Sequence, residues 1–155
     1  MTESTQSPPR VNIYEGMFLF PQSASADLAG AVDHVKSILT RSDAEIVSLV
    51  KWDERRLAYD IKGNKRGIYF LAYFRAPSAN LARIERDCNL SEQLLRSMVL
   101  RAEHVAPEIM ENAEGQQKLA DELKLRSEEA AAKDAETAET TETPTAESSG
   151  SDGSD

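Results

Sequence analysis

The chain has a single cysteine, Cys88, and only two histidines, His34 and His104. One thiol excludes an intramolecular disulfide and fits a reducing, cytoplasmic setting. No apolar run approaches the roughly 18 residues that a membrane helix needs. The opening MTESTQSPPR has no apolar core followed by a small-residue cleavage site, so a soluble protein that is not exported is expected. GxSxG, P-loop, HExxH and paired CxxC motifs are all missing. His34 falls beside a helical apolar stripe, His104 follows the last strand, and Cys88 sits on an apolar face as a small core residue. No catalytic residue, metal ligand, cofactor or small-molecule substrate is expected.

What is present is unevenly distributed. The formal net charge is -9, but residues 11–105 hold 13 Lys/Arg against 12 Asp/Glu, a net of +1. Residues 106–155 hold 4 against 14, a net of -10. The acidity belongs to the C-terminal part, and a polyanionic partner for the rest is not excluded.

Residues 1–10 read as a disordered arm. Asn12–Phe20 is a short apolar strand stopped by Pro21. Ser23 to Ser25 offer N-caps, and Leu28, Val32, Val35 and Leu39 then mark one helical face that ends near Arg41-Ser42. The stretch 44–61 reads as one long strand, bulged at Asp53-Glu54-Arg55-Arg56. Lys62–Gly67 reads as a hairpin loop and Ile68–Arg75 as the returning strand. Pro77-Ser78 opens a second helix with Leu81, Ile84 and Cys88 on one face, and 94–102 is the last strand.

The order is β-α-β-β-α-β, the ferredoxin-like plan of the α+β class. A four-stranded antiparallel sheet carries two helices on one face and leaves the other open. Residues 106–133 have a weak Leu119, Leu123, Arg126 stripe interrupted by Gly115, and predict a transient helix. Residues 134–155 lack large apolar side chains and predict a disordered acidic tail.

RGIYFLAYFR (residues 66–75) has the outline of a base-stacking strand, with a basic residue, a glycine and spaced aromatics. Its parity argues otherwise. Ile68, Phe70, Ala72 and Phe74 share one wholly apolar face, suited to burial under helices. Tyr69, Leu71, Tyr73 and Arg75 fall on the other, open face. RNA contact is better sought in the basic residues Arg55, Arg56, Lys62, Lys65 and Arg66, with Arg96 and Arg101 on the last strand, because such groups neutralise phosphates. Successive residues Arg55 and Arg56 point to opposite faces unless a bulge intervenes.

Tyr14-Glu15, Trp52-Asp53-Glu54-Arg55-Arg56-Leu57-Ala58-Tyr59, Gly67-Ile68-Tyr69-Phe70 and Leu95–Arg101 occur in the order found in a known family. Together, over about residues 13–102, they resemble the bacterial small-subunit ribosomal protein number six. The resemblance implies a structural protein of the cytoplasmic ribosome that binds the central domain of 16S rRNA and pairs with small-subunit protein eighteen. It implies that Arg55, Arg56 and Tyr59 touch RNA or shape the protein interface, and it matches Arg96 and Arg101 to basic positions of the last strand. With Tyr59, the open-face residues Tyr69, Leu71 and Tyr73 are the expected partner contacts. Asp53 and Glu54 depart from the family pattern and add negative charge beside the arginine pair, weakening phosphate contact or pairing with the arginines. The competing expectation is a ferredoxin-like homodimeric regulatory or scaffold domain that uses its open face for a small molecule or a protein.

Overall fold

Strand β1 (Val11–Pro21) lies at the centre of the sheet, because its alternating Phe18 and Phe20 side chains are buried on one face. The computed structural model describes residues 7–139, with side chains described through residue 136. After β1 come α1 (Leu28–Arg41), β2 (Glu45–Ile61), β3 (Asn64–Pro77), α2 (Leu81–Leu90) and β4 (Arg96–Arg101). The strand order is β2-β3-β1-β4, and every pairing is antiparallel. This is the expected ferredoxin-like α+β arrangement.

The core lies between the sheet and the two helices. Ile68, Phe70, Ala72 and Phe74 are each 0% exposed, and they meet Val32, Val35, Leu39, Ile84 and Cys88 of α1 and α2. Phe70 packs edge-to-face on Phe20 at 5.4 Å between ring centroids. Gly67 is required at its position: a Cβ there would stand 2.9 Å from the Phe20 carbonyl oxygen and 2.5 Å from Leu19 Cδ1.

Several local expectations are revised. Asp27, not Ser23–Ser25, caps α1, its Oδ1 accepting from the Gly30 N–H at 3.0 Å after a 3-10 turn over Gln22–Asp27. The β2–β3 connection is a two-residue turn, with φ of 48° at Lys62 and 79° at Gly63. Those angles match the twist of the flanking strands. Lys65 and Arg66 therefore lie in β3 and not in a loop. Strand β2 is one strand as expected, but its register shifts fall between Ile46 and Ser48, Lys51 and Asp53, and Arg56 and Ile61.

Beyond β4 the chain forms a short helix, α3 (Pro107–Glu111), and then α4 (Ala113–Glu139). The break is at Asn112, at φ 35°, and not at Gly115. Asn112 Oδ1 accepts from the Gly115 N–H at 3.0 Å, which starts α4. The helix runs past the expected boundary at Lys133, so 134–139, expected in the disordered tail, are helical. Residues 1–6 of the expected arm and 140–155 of the expected tail lie outside the described residues. From Lys124 the described residues are the remainder of α4, with side chains mostly exposed.

Candidate nucleic-acid and protein interface

The β2–β3 hairpin gathers five of the seven basic residues singled out above. Pairing places Arg56 directly opposite Arg66, with Arg55 opposite Gly67. Like charges facing each other across strands are destabilising, and an anion between them would relieve the pair. Among the described residues, Arg56, Lys65 and Arg66 form no ion pair, and all three are exposed.

Arg55 differs from them. No register shift separates it from Arg56, so the two take opposite faces. Its guanidinium donates through Nε to Asp53 Oδ2 at 2.8 Å and lies 4.8 Å from the Trp52 ring centroid. The Arg55 hydrogen bond, with one from the Glu54 N–H, holds the Asp53 carboxyl below the ordinary carboxylate range. Asp53 thus pairs with an arginine, whereas Glu54 pairs with Lys51 at 3.5 Å. Arg55 is the less available of the two arginines.

Lys62 Nζ reaches across to donate to the Leu94 carbonyl at 3.5 Å. Arg96 donates to the Tyr59 hydroxyl and lies 5.1 Å from that ring's centroid. The structure does not bring Arg101 to this group. Arg101 stands at the far end of β4, opposite Tyr14, paired with Glu103 at 3.1 Å.

The open sheet face divides into two halves. At one end, Met17, Leu19, Leu57, Tyr59, Tyr69 and Met98 line an open groove of about 430 Å³, with Arg96 on its rim. Trp52 meets Tyr69 edge-on at 5.7 Å, and Trp52, Tyr59 and Met98 are each about half exposed, as is Leu100, which lies opposite Glu15 toward the other end. An exposed apolar cluster of this kind is a surface able to take a partner or a ligand. Sequence reading missed Trp52, Met98 and Leu100. The alternation of Arg96, Met98 and Leu100 carried the signal for the latter two.

The other end is closed. Tyr73, expected as an open-face partner contact, is only 5% exposed, because Ala102, Val105 and Met110 pack over it, Leu71 and Val47. Its hydroxyl donates to Glu15 Oε2 at 2.8 Å. Leu71 is half-buried in the same cluster. Of the four expected partner contacts, Tyr59 and Tyr69 line the groove. Tyr73 does not.

Burial first, then the Glu15 hydrogen bond and charge, push the Tyr73 phenol up to about 12 from 10.0. The folded chain therefore keeps a proton that the unfolded chain surrenders. The stability tied to Tyr73 is full below pH 10 and is lost as pH rises toward about 12. Replacing Tyr73 with Phe is expected to cost about 1–2 kcal/mol at neutral pH and to flatten the alkaline loss. Urea denaturation at a series of pH values checks both.

Of the residues weighed for catalysis, His34 and Cys88 are engaged structurally, whereas His104 is exposed. Ser91 Oγ accepts from the N–H groups of Gln93 and Leu94, so its proton goes to His34 Nε2 at 2.6 Å. Burial, then the charge of Arg41, hold His34 below its ordinary value of 6.5. The stability this neutral histidine contributes is therefore lost as pH falls below 6.5. Thermal unfolding from pH 7 to 5 should show that decline, and His34→Gln should reduce it. Cys88 is 4% exposed, and burial pushes its thiol up, away from the reactive thiolate. Among the described residues no group of His, Cys, Asp or Glu can hold a metal ion, and no helix is long and apolar enough to cross a membrane.

The family model described as Ribosomal protein S6 matches residues 13–101, more than half the chain. The small ribosomal subunit protein bS6 of Protochlamydia amoebophila is 36% identical over 99 residues, covering 63% of this chain and 87% of that protein. The protein of the same name from Campylobacter lari is 36% identical over 92 residues, covering 59% and 74%. Among solved structures, 30S ribosomal protein S6 from Thermotoga maritima superposes with a TM-score of 0.54 at 27% identity, covering 60% of this chain and 89% of that one.

Proposed function

The chain belongs to the ribosomal protein S6 family of the small ribosomal subunit, and on that premise we propose that it binds the central domain of 16S rRNA together with small-subunit protein eighteen. The role is structural and involves no catalysis or cofactor, and its place is the ribosome in the cytoplasm. The observation that carries this reading is the separation of two surfaces on one sheet. A basic hairpin end presents Arg56 and Arg66 opposite each other with Lys65 beside them. An apolar groove presents Tyr59, Tyr69 and Met98 on the open face. Phosphates relieve the first, and an apolar protein segment fills the second. Cys88 is buried and His34 is engaged by Ser91, which fits this reading.

The test is binding to a 16S central-domain fragment, with and without protein eighteen, across a salt series. Three or four phosphate contacts predict a slope of log affinity against log salt of about -2 to -4. A flat salt response would remove the hairpin from the interface. Groove substitutions such as Tyr69→Ala should weaken binding only when protein eighteen is present. An equal loss without it would assign the groove to RNA.

A further inference from the structure

The family match ends at residue 101, and the segment that follows does something specific to the sheet. Met110 of α3 is buried on the open face against Tyr73, with Val47 beside it. Leu119 of α4 is buried in the core cluster on the helix face, which also holds Leu49, with Ile46 and Leu123 packed against it. To pass from one face to the other the chain must round a sheet edge. The strand it touches on both faces is β2, whose outer side has no neighbour in the sheet. Three attachments hold it there: Ser48 Oγ donates to the Met110 carbonyl, Leu119 packs beside Leu49, and Lys51 Nζ pairs with Glu122 at 3.0 Å.

We propose that 107–123 is a clasp over the β2 edge, and that it excludes a second copy of this chain, which would otherwise pair β2 against β2. The stretch under the clasp is Glu45-Ile46-Val47-Ser48-Leu49-Val50, short, β-prone and nearly uncharged. Such a stretch on a free edge is a template for strand addition, and covering it with a helix or loop is a known protection. Antiparallel pairing of one edge with its own copy is self-complementary and closes as a two-fold dimer. Residues 11–105 carry a net charge of only +1, so the sheet domains themselves do not repel each other, and the repulsion between copies comes from residues 106–155 at -10. An open depression of about 200 Å³ lies between α1, β2 and α4, among Val32, Lys36, Ile46 and Leu123, beside the buried Leu119. This inference does not depend on the ribosomal reading.

The experiment uses the full chain and two independent variants, Met110→Asp and Leu119→Asp, each of which detaches one half of the clasp. Circular dichroism follows the fold, and sedimentation velocity follows the mass over a range of concentrations. The expected result is a monomeric parent and folded variants whose mass doubles as concentration rises. Adding Val47→Lys, a charge under the clasp, should return them to monomer. Four results would overturn the proposal. They are a dimeric parent, folded variants that stay monomeric, association that Val47→Lys does not reverse, and loss of the fold in both variants. The last would make the segment part of the core and not a guard upon it.

Discussion

Phe70→Ala should lower the stability of the domain by about 3–5 kcal/mol, the range for emptying a large aromatic site in a core that relaxes only partly. Phe70 is 0% exposed and packs edge-to-face on Phe20. Domains of this kind are stable by about 5–15 kcal/mol in total, so the variant should lose a large share of the domain's stability. The residue before it should behave differently. Tyr69 is only half-buried and touches Trp52 edge-on at the groove, so Tyr69→Ala should cost about 1 kcal/mol of stability. Its loss should appear instead in partner binding. Urea denaturation of the two variants side by side gives the comparison. Equal losses would mean that the two faces of β3 are equally buried, and the open-face groove would lose its basis.

The second large effect concerns RNA. Replacing Arg56, Lys65 and Arg66 together with Gln should weaken binding to the 16S central domain about 100-fold, taking about 1 kcal/mol for each lost charge-assisted contact. The slope of affinity against salt should become shallower by about 2 to 3. Arg56→Gln alone should act in opposite directions on binding and stability. It removes a phosphate contact, yet it also relieves the like-charge pair with Arg66, worth a few tenths of a kcal/mol to the hairpin. Arg55→Gln should matter less to RNA, because Asp53 and Trp52 already hold that guanidinium. Filter binding and thermal unfolding on the same preparations test the pattern. A triple variant that binds like the parent would place the RNA surface elsewhere.

The sheet and its core were legible because their periodicity is strong. Ile68, Phe70, Ala72 and Phe74 alternate without a polar interruption, and Leu28, Val32, Val35 and Leu39 keep helical spacing, so local pattern and tertiary burial agree. Tyr73 was not legible as a buried residue. Its cover, Met110, lies 37 positions further on in a stretch whose stripe is weak, and no local periodicity reports so distant a contact. The tight turn was hidden for another reason. Lys62 takes a left-handed conformation that Asn or Gly usually fills, so the sequence reads as a longer loop. Asp53 is the contrary case, since a carboxylate two residues from Arg55 on one strand face was within reach of simple alternation. The division of the basic residues between available and occupied depends on such partners. That part of the site needed side-chain geometry.

The most direct measurement of the central claim is where the protein runs when a cell extract is resolved on a sucrose gradient under conditions that separate the ribosomal subunits. The account predicts that it co-sediments with the small subunit, and that Arg56→Gln with Lys65→Gln and Arg66→Gln shifts it toward the top of the gradient. If the unaltered chain stays at the top of the gradient, with none of it in the small-subunit fractions, the ribosomal reading is contradicted.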